Sequence, residues 1–162
     1  MPRETTPVIE GDLNGFGMRF GIVVAEFNDF VTLKLLDGAK SALLENGVLE
    51  SDITVAKIPG SFEIPVVADG MASSGNYDAV ICLGAVIKGE TDHYEYVSQG
   101  AAEGISRVAI DNQTPVMFGV LTTHNVEQAL DRCGGRKGNE GEICAISAIK
   151  TVNVLNQINN TG

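Results

Sequence analysis

Residues 84–91 read GAVIKGET, the glycine spacing of a phosphate-cradling loop, GxxxxGK[ST], with Glu90 standing where that loop needs its lysine. A triphosphate site needs the cation to reach the outer phosphates. The spacing alone therefore leaves three readings open: a ruined nucleotide site, an accident of glycine placement, or a loop built for a different anion. If the chain passes here from strand to helix, the amides of Glu90, Thr91 and Asp92 are unpaired donors of a helix N-terminus, and Thr91 adds a hydroxyl. Gly89 permits close approach to the backbone. Such a donor set suits one small phosphate. A plain helix cap by Thr91 or Asp92 explains the same residues without any ligand.

His93 follows in the first helical turn. An imidazole, with an ordinary pKa near ~6.5, can move protons at neutral pH; an exposed or capping histidine is the alternative. His124, at the end of another apolar run, reads as a turn residue. Arg132, Arg136 and Lys137 lie together beside glycines in an otherwise acidic chain, so they could complete a phosphate pocket, with arginine binding in bidentate fashion. They could equally complement a helix C-terminus. Phe27 and Phe62 fall just past strand ends, where an exposed ring could stack on a planar heterocycle, although single phenylalanines are commonly core. Glu63, beside Phe62, could accept hydrogen bonds from hydroxyls or cap the helix that begins there.

These residues need a frame that gathers strand ends. Short β-rich runs at 18–27, 52–59, 77–87 and 114–123 alternate with helical patterns at 29–47, about 63–73, about 92–110, 126–133 and from about 140 onward. In the first helix Val31, Leu35, Leu36, Ala39, Leu43 and Leu44 share a face, and Gly47 supplies a stop. Pro65 is tolerated because it falls in a first turn. The order βαβαβαβαα, with strands apolar on both faces, predicts an α/β three-layer sandwich around a central, mainly four-stranded parallel sheet. Residues 7–13 could add an edge strand. We expect an N-terminal extension over 1–17 and a single domain over 18–162. Ligands of such sheets bind beyond the carboxyl ends of the strands, where strand order reverses. Those ends read EFND, PGSFE, IKGETDH and LTTHN.

Composition narrows the chemistry. The chain has 162 residues and a formal net charge of −10, which excludes a general nucleic-acid binder, since phosphate backbones require a basic patch. Cys82, Cys133 and Cys144 form no CxxC pair and have no histidine at ligand spacing, so they read as reduced, intracellular cysteines. The N-terminus lacks a leader pattern and no stretch is long and apolar enough for a membrane span. A cytoplasmic protein with no membrane partner is expected.

Taken together, FGIVVAEFN, PGSFEIP, YDAVICLGAVIKGETDHYEYV, TPVMFGVLTT, EQALDR and GNEGEICAISAI resemble the 6,7-dimethyl-8-ribityllumazine synthase family, over about Phe20 to Leu155. PGSFEIP with GAVIKGETDH at this spacing is the specific part. The resemblance implies a flavodoxin-like subunit that condenses 5-amino-6-(D-ribitylamino)uracil with 3,4-dihydroxy-2-butanone 4-phosphate, using no cofactor and no metal. It also implies roles. Phe27 stacks on the pyrimidine with Asn28 nearby, and Ser61, Phe62 and Glu63 hold the ribityl chain. Val86 and Ile87 line the heterocycle site. Gly89, Glu90 and Thr91 receive the phosphate, Arg132 supplies its countercharge, and His93 transfers protons. Phe118 would come from a neighbouring subunit, because family sites lie between the protomers of a pentamer. Capsid-forming members of the family have a short connection between the last two helices, so with no insertion from Arg132 to Gly141 the resemblance implies a sixty-subunit shell over a free pentamer, and it makes riboflavin synthase a partner to look for.

By this resemblance GAVIKGET holds one phosphate, which leaves during the reaction, and the absent lysine is no defect. One departure stands out. The family commonly shows GNKG where this chain has GNEG, so Glu140 replaces a lysine expected near the phosphate, and Arg136 and Lys137 are the candidates to compensate. Rival readings are a flavodoxin-like flavin- or lumazine-binding module, a shell-forming protein with weak catalysis, and a response-regulator receiver. A receiver needs clustered acids after its first strand and an aspartate ending its third. Glu26 and Ile87 to Gly89 occupy those places.

Overall fold

A computed structural model describes residues 5–160. Its centre is a parallel sheet of β1 (Phe20–Ala25), β2 (Ile53–Ile58), β3 (Ala79–Ile87) and β4 (Val116–Thr123), in the spatial order β2-β1-β3-β4. The chain runs outward from β1 to β2 and then crosses back to β3, so strand order reverses between β1 and β3. That is the crevice where a ligand site is expected. The strand β3 is buried from Ala79 to Val86, as its unbroken apolar run requires in a sheet covered on both faces. Ile81 and Leu83 are fully buried, and each contributes about 1.5–3 kcal/mol on leaving water. The edge strand β2 is mostly half-buried. Its expected burial on both faces is not realised, because a parallel edge has one neighbour fewer.

One face of the sheet is covered by α1 (Asp29–Glu45) and α5 (Glu140–Asn160), which pack against each other over Phe20, Ile22, Leu35, Leu43 and Ile149. The other is covered by α2 (Ile64–Ser73) and α3 (His93–Asn112) over Val23, Ile64, Val80 and Ile105. The short α4 (Val126–Asp131) follows β4. The helix α1 ends as its sequence implies: Gly47 takes φ 94°, and the amides of Gly47 and Val48 donate to Leu44 O and Leu43 O at 3.2 and 3.0 Å, a Schellman closure. Leu44, expected on the buried face, is 42% exposed.

Two segments differ from expectation. Residues 7–13 form no strand. They run along α5, whose Asn153 and Gln157 side-chain amides donate to the carbonyls of Asp12 and Glu10, so their backbone is engaged away from the sheet. The glycine-rich stretch after Arg132 folds as a small antiparallel hairpin, β5 (Cys133–Gly135) with β6 (Gly138–Asn139). Gly134 and Gly138 supply its positive φ values, 109° and 82°.

Candidate functional site

The exits of β1, β2 and β3 surround a cavity of about 760 Å³. At the first exit, the amides of Glu26 and Phe27 donate to Ile58 O and Pro59 O, binding the chain beyond β1 to the chain beyond β2. Asn28 then adopts the left-handed conformation (φ 63°) as the N-cap of α1, which asparagine tolerates better than most residues. Its Nδ2 donates to Ala85 O at 2.8 Å. Asn28 thus ties β1 to β3 and does not line the cavity, while the Phe27 ring beside it does, at 71% exposure.

The second wall is the turn Ser61–Glu63, one 3-10 turn leading into α2 with Pro65 in the first turn. Ser61 is buried, and a Cβ on Gly84 would run into its Oγ, so the glycine of β3 lets the turn settle on the sheet. Phe62 and Glu63 face the cavity. Val86 and Ile87, at the end of β3, form its floor.

The third wall is the loop between β3 and α3. Among the described residues, the amides of Gly89, Glu90, Thr91 and Asp92 have no hydrogen-bond acceptor in the chain. Asp92, the N-cap, makes no side-chain cap, and Thr91 Oγ1 accepts only a long 3.4 Å bond from the His93 amide. The capping alternative is therefore weakly met, and the loop presents open donors at a helix N-terminus. Gly89, Thr91 and His93 line the cavity, whereas the Glu90 side chain does not. The sequence reading missed Tyr94, Tyr96 and Val97, which also line it. The signal was present: His93, Tyr96 and Val97 stand at i, i+3 and i+4, one face of a helix.

A second cavity, of about 290 Å³, gathers Phe118, Thr122, Gln128, Arg132 and Glu140. It lies against β4, the opposite edge strand from β2. Phe118 and Arg132 are thus together, and apart from His93 and Thr91 within one chain. Arg132 Nη1 donates to Gln128 O at 3.0 Å. Burial pushes the Glu140 carboxyl above its usual range, while the positive charge of Arg132 pulls it down. Arg136 is committed elsewhere. It makes two hydrogen bonds to Asp131, at 3.3 and 2.9 Å, and lies 3.8 Å from Glu127. Its hydrogen bond and charge lower the Asp131 carboxyl pKa. Neither Arg136 nor Lys137 lines a cavity with Glu140, and Arg136 is paired with Asp131 instead.

Of the two histidines, only His93 lines the larger cavity. His124 sits in the turn before α4, its amide donating to Gln128 Oε1 at 2.8 Å while the Gln128 amide donates to Asn125 Oδ1 at 2.8 Å, an interlocked cap. Its ring meets Tyr94 edge-on, with centroids 6.3 Å apart. The three cysteines are free and buried. Burial raises all three thiol pKa values, that of Cys144 to about 12, so none is a ready thiolate nucleophile. Among the described residues no three or more His, Cys, Asp or Glu side chains converge as a metal cage would need. Among the described residues no helix is long and apolar enough to cross a membrane.

The larger cavity combines aromatic and aliphatic walls, a helix-terminal anion cradle and a single imidazole. It can hold a flat heterocycle and a small phosphate side by side and move protons between them. Comparison with known proteins agrees with that inventory. Residues 17–156 match the family model described as 6,7-dimethyl-8-ribityllumazine synthase. The protein named 6,7-dimethyl-8-ribityllumazine synthase in Desulfatibacillum aliphaticivorans is 52% identical over 157 residues, covering 97% of this chain and 99% of that one.

Proposed function

The chain belongs to the 6,7-dimethyl-8-ribityllumazine synthase family, and from that premise we propose how the residues around the cavities of Phe27 and of Phe118 divide the reaction. The protein is a transferase that condenses 5-amino-6-(D-ribitylamino)uracil with 3,4-dihydroxy-2-butanone 4-phosphate. The products are 6,7-dimethyl-8-ribityllumazine, phosphate and water, in the penultimate step of riboflavin biosynthesis. The binding-module and weak-catalysis readings, the latter resting on Glu140 alone, are not favoured beside the family match over most of the chain.

Phe27 stacks on the pyrimidine, and Val86 and Ile87 support its edge. Ser61, Phe62 and Glu63 hold the ribityl chain, the carboxylate accepting from hydroxyls. The amides of Gly89, Glu90 and Thr91, with the Thr91 hydroxyl, receive the phosphate of the second substrate. Its ketone then lies against the pyrimidine amine, and proximity lowers the barrier to their union. The amine attacks the ketone carbon. His93 takes the proton released from nitrogen and returns it to the departing hydroxyl, so an imine forms and water leaves. Loss of a proton next to the imine then expels phosphate, and ring closure releases the second water. Orientation and proton movement suffice. That agrees with a site holding one imidazole and no activated thiol.

Arg132 supplies the phosphate's countercharge, and Phe118 closes over the heterocycle. Both line the second cavity, so we assign them to the site of an adjacent protomer. The enzyme is oligomeric, and we propose a pentamer with its sites between subunits, assembled further into a sixty-subunit shell, in the cytoplasm, as one domain over residues 18–162 without a cofactor. The carrying observation is the cavity at the β1/β3 reversal, where Phe27, Phe62, Thr91 and His93 meet. The test is turnover: the purified protein with both substrates should form product, read by its absorbance, faster than the uncatalysed condensation. A rate equal to the enzyme-free control would reject the assignment.

A further inference from the structure

We infer that Gly100 is a positioning residue for the reaction: by having no side chain, it seats the Phe62 ring in the wall of the larger cavity. Glycine is the poorest helix former after proline, yet Gly100 stands inside α3, one of the two longest helices. Its place is explained by what lies opposite. A Cβ built on Gly100 would come 2.7 Å from Phe62 Cε2 and 3.2 Å from Cδ2, well inside the ~3.5–4.0 Å at which carbon atoms rest. The ring therefore lies on the bare backbone of the helix.

One turn further on, Gly104 has the same relation to Pro65. The two glycines share a face at i and i+4, and together they let the turn Ser61–Glu63 and the start of α2 settle directly on α3. The two sites differ in what a methyl would disturb. At Gly104 it would press on the packing of α2. At Gly100 it would press on a ring that is 62% exposed and lines the cavity, so the ring can tilt without unfolding anything. A tilted Phe62 moves the ribityl chain, and with it the amine that must meet the ketone. The inference rests on the reading of Phe62 as a contact for the ribityl-bearing substrate.

The test is a double-mutant cycle of Gly100→Ala and Phe62→Ala, reading KM for each substrate. Gly100→Ala should raise the KM for the ribitylaminouracil roughly three- to tenfold, since a displaced ring loses part of its contact with the ribityl chain and with it binding energy, while the KM for the butanone phosphate stays within about twofold. In the Phe62→Ala background the same change should do nothing more, because the group it acts through is gone. An undiminished effect in that background, or no effect in the wild type, would overturn the inference while leaving the role of Phe62 intact. Unchanged KM values in Phe62→Ala alone would overturn both. Should Gly100→Ala fail to fold, Phe62→Leu in the same chain, which lacks the ring atom that the methyl meets, should restore folding, and failure to do so would also overturn it.

Discussion

In the proposed mechanism the chemistry depends on His93, a side chain that the fold does not need. It is exposed at the first position of α3, so His93→Gln should leave the melting temperature nearly unchanged and slow single-turnover product formation, by up to ~10²-fold if it acts as a general acid–base group. An unchanged single-turnover rate would remove it from the mechanism. Glu140 makes the opposite case. Burial raises its carboxyl pKa, so the fold disfavours the ionised form: ionisation costs stability above the raised value and nothing below the ordinary carboxylate range. Glu140→Gln should therefore raise Tm at neutral pH, with the gain fading toward about pH 4. If Glu140 shares a phosphate rim with Arg132, Glu140→Lys should also lower the KM for the butanone phosphate by a few-fold. Salt should weaken that gain, since a screened contact of this kind is worth about 0.2–1 kcal/mol. A change in KM that ignores salt would place Glu140 outside the rim's electrostatics.

The elements turn these residues into a site, and the turn after β1 shows how. Asn28 combines a left-handed backbone with a 2.8 Å bond to Ala85 O. Asn28→Gly should lose only the bond, about 1 kcal/mol, while Asn28→Ala should also incur a left-handed penalty of about 1–2 kcal/mol; urea unfolding of the pair separates the two. Equal losses would mean that the conformation carries no strain. The same turn shows what was legible in advance. Runs of β-rich and helical residues in alternation located the four strands and their covering helices, with a continuous apolar signature where β1 and β3 are buried on both faces; Phe27, Phe62, Thr91 and His93 were picked out because each stands at a strand exit, whereas Ser61 was named only through the family resemblance. Tyr94, Tyr96 and Val97 were not singled out, since helical residues on a cavity wall look like core. The hairpin at Cys133–Asn139 was hidden because its strands hold three and two residues, too short for periodicity. The course of residues 7–13 was hidden because it is set by side chains of α5 more than a hundred residues away. The ion pair of Arg136 with Asp131 could not be told from a phosphate ligand, since an arginine beside glycines reads the same in either role.

At the scale of the whole molecule, the division of Arg132 and Phe118 from His93 and Thr91 has a simple consequence. If the two groups meet in one site, as proposed, each protomer would contribute one half to each of two sites, which a head-to-tail ring allows. Arg132→Ala should then raise the KM for the butanone phosphate, losing a charged contact of about 1.5–3 kcal/mol, and leave pyrimidine binding in place, because only one substrate carries phosphate. The arrangement is tested most directly by complementation. Protomers bearing His93→Ala and protomers bearing Arg132→Ala, each impaired alone, are dissociated, mixed in equal amounts and reassembled. With random assortment around the ring, about one site in four joins two intact halves, so the mixture should recover about a quarter of the wild-type rate at limiting butanone phosphate. Recovery no greater than the mean of the two impaired parents would contradict the shared site and return Arg132 to a role within its own protomer.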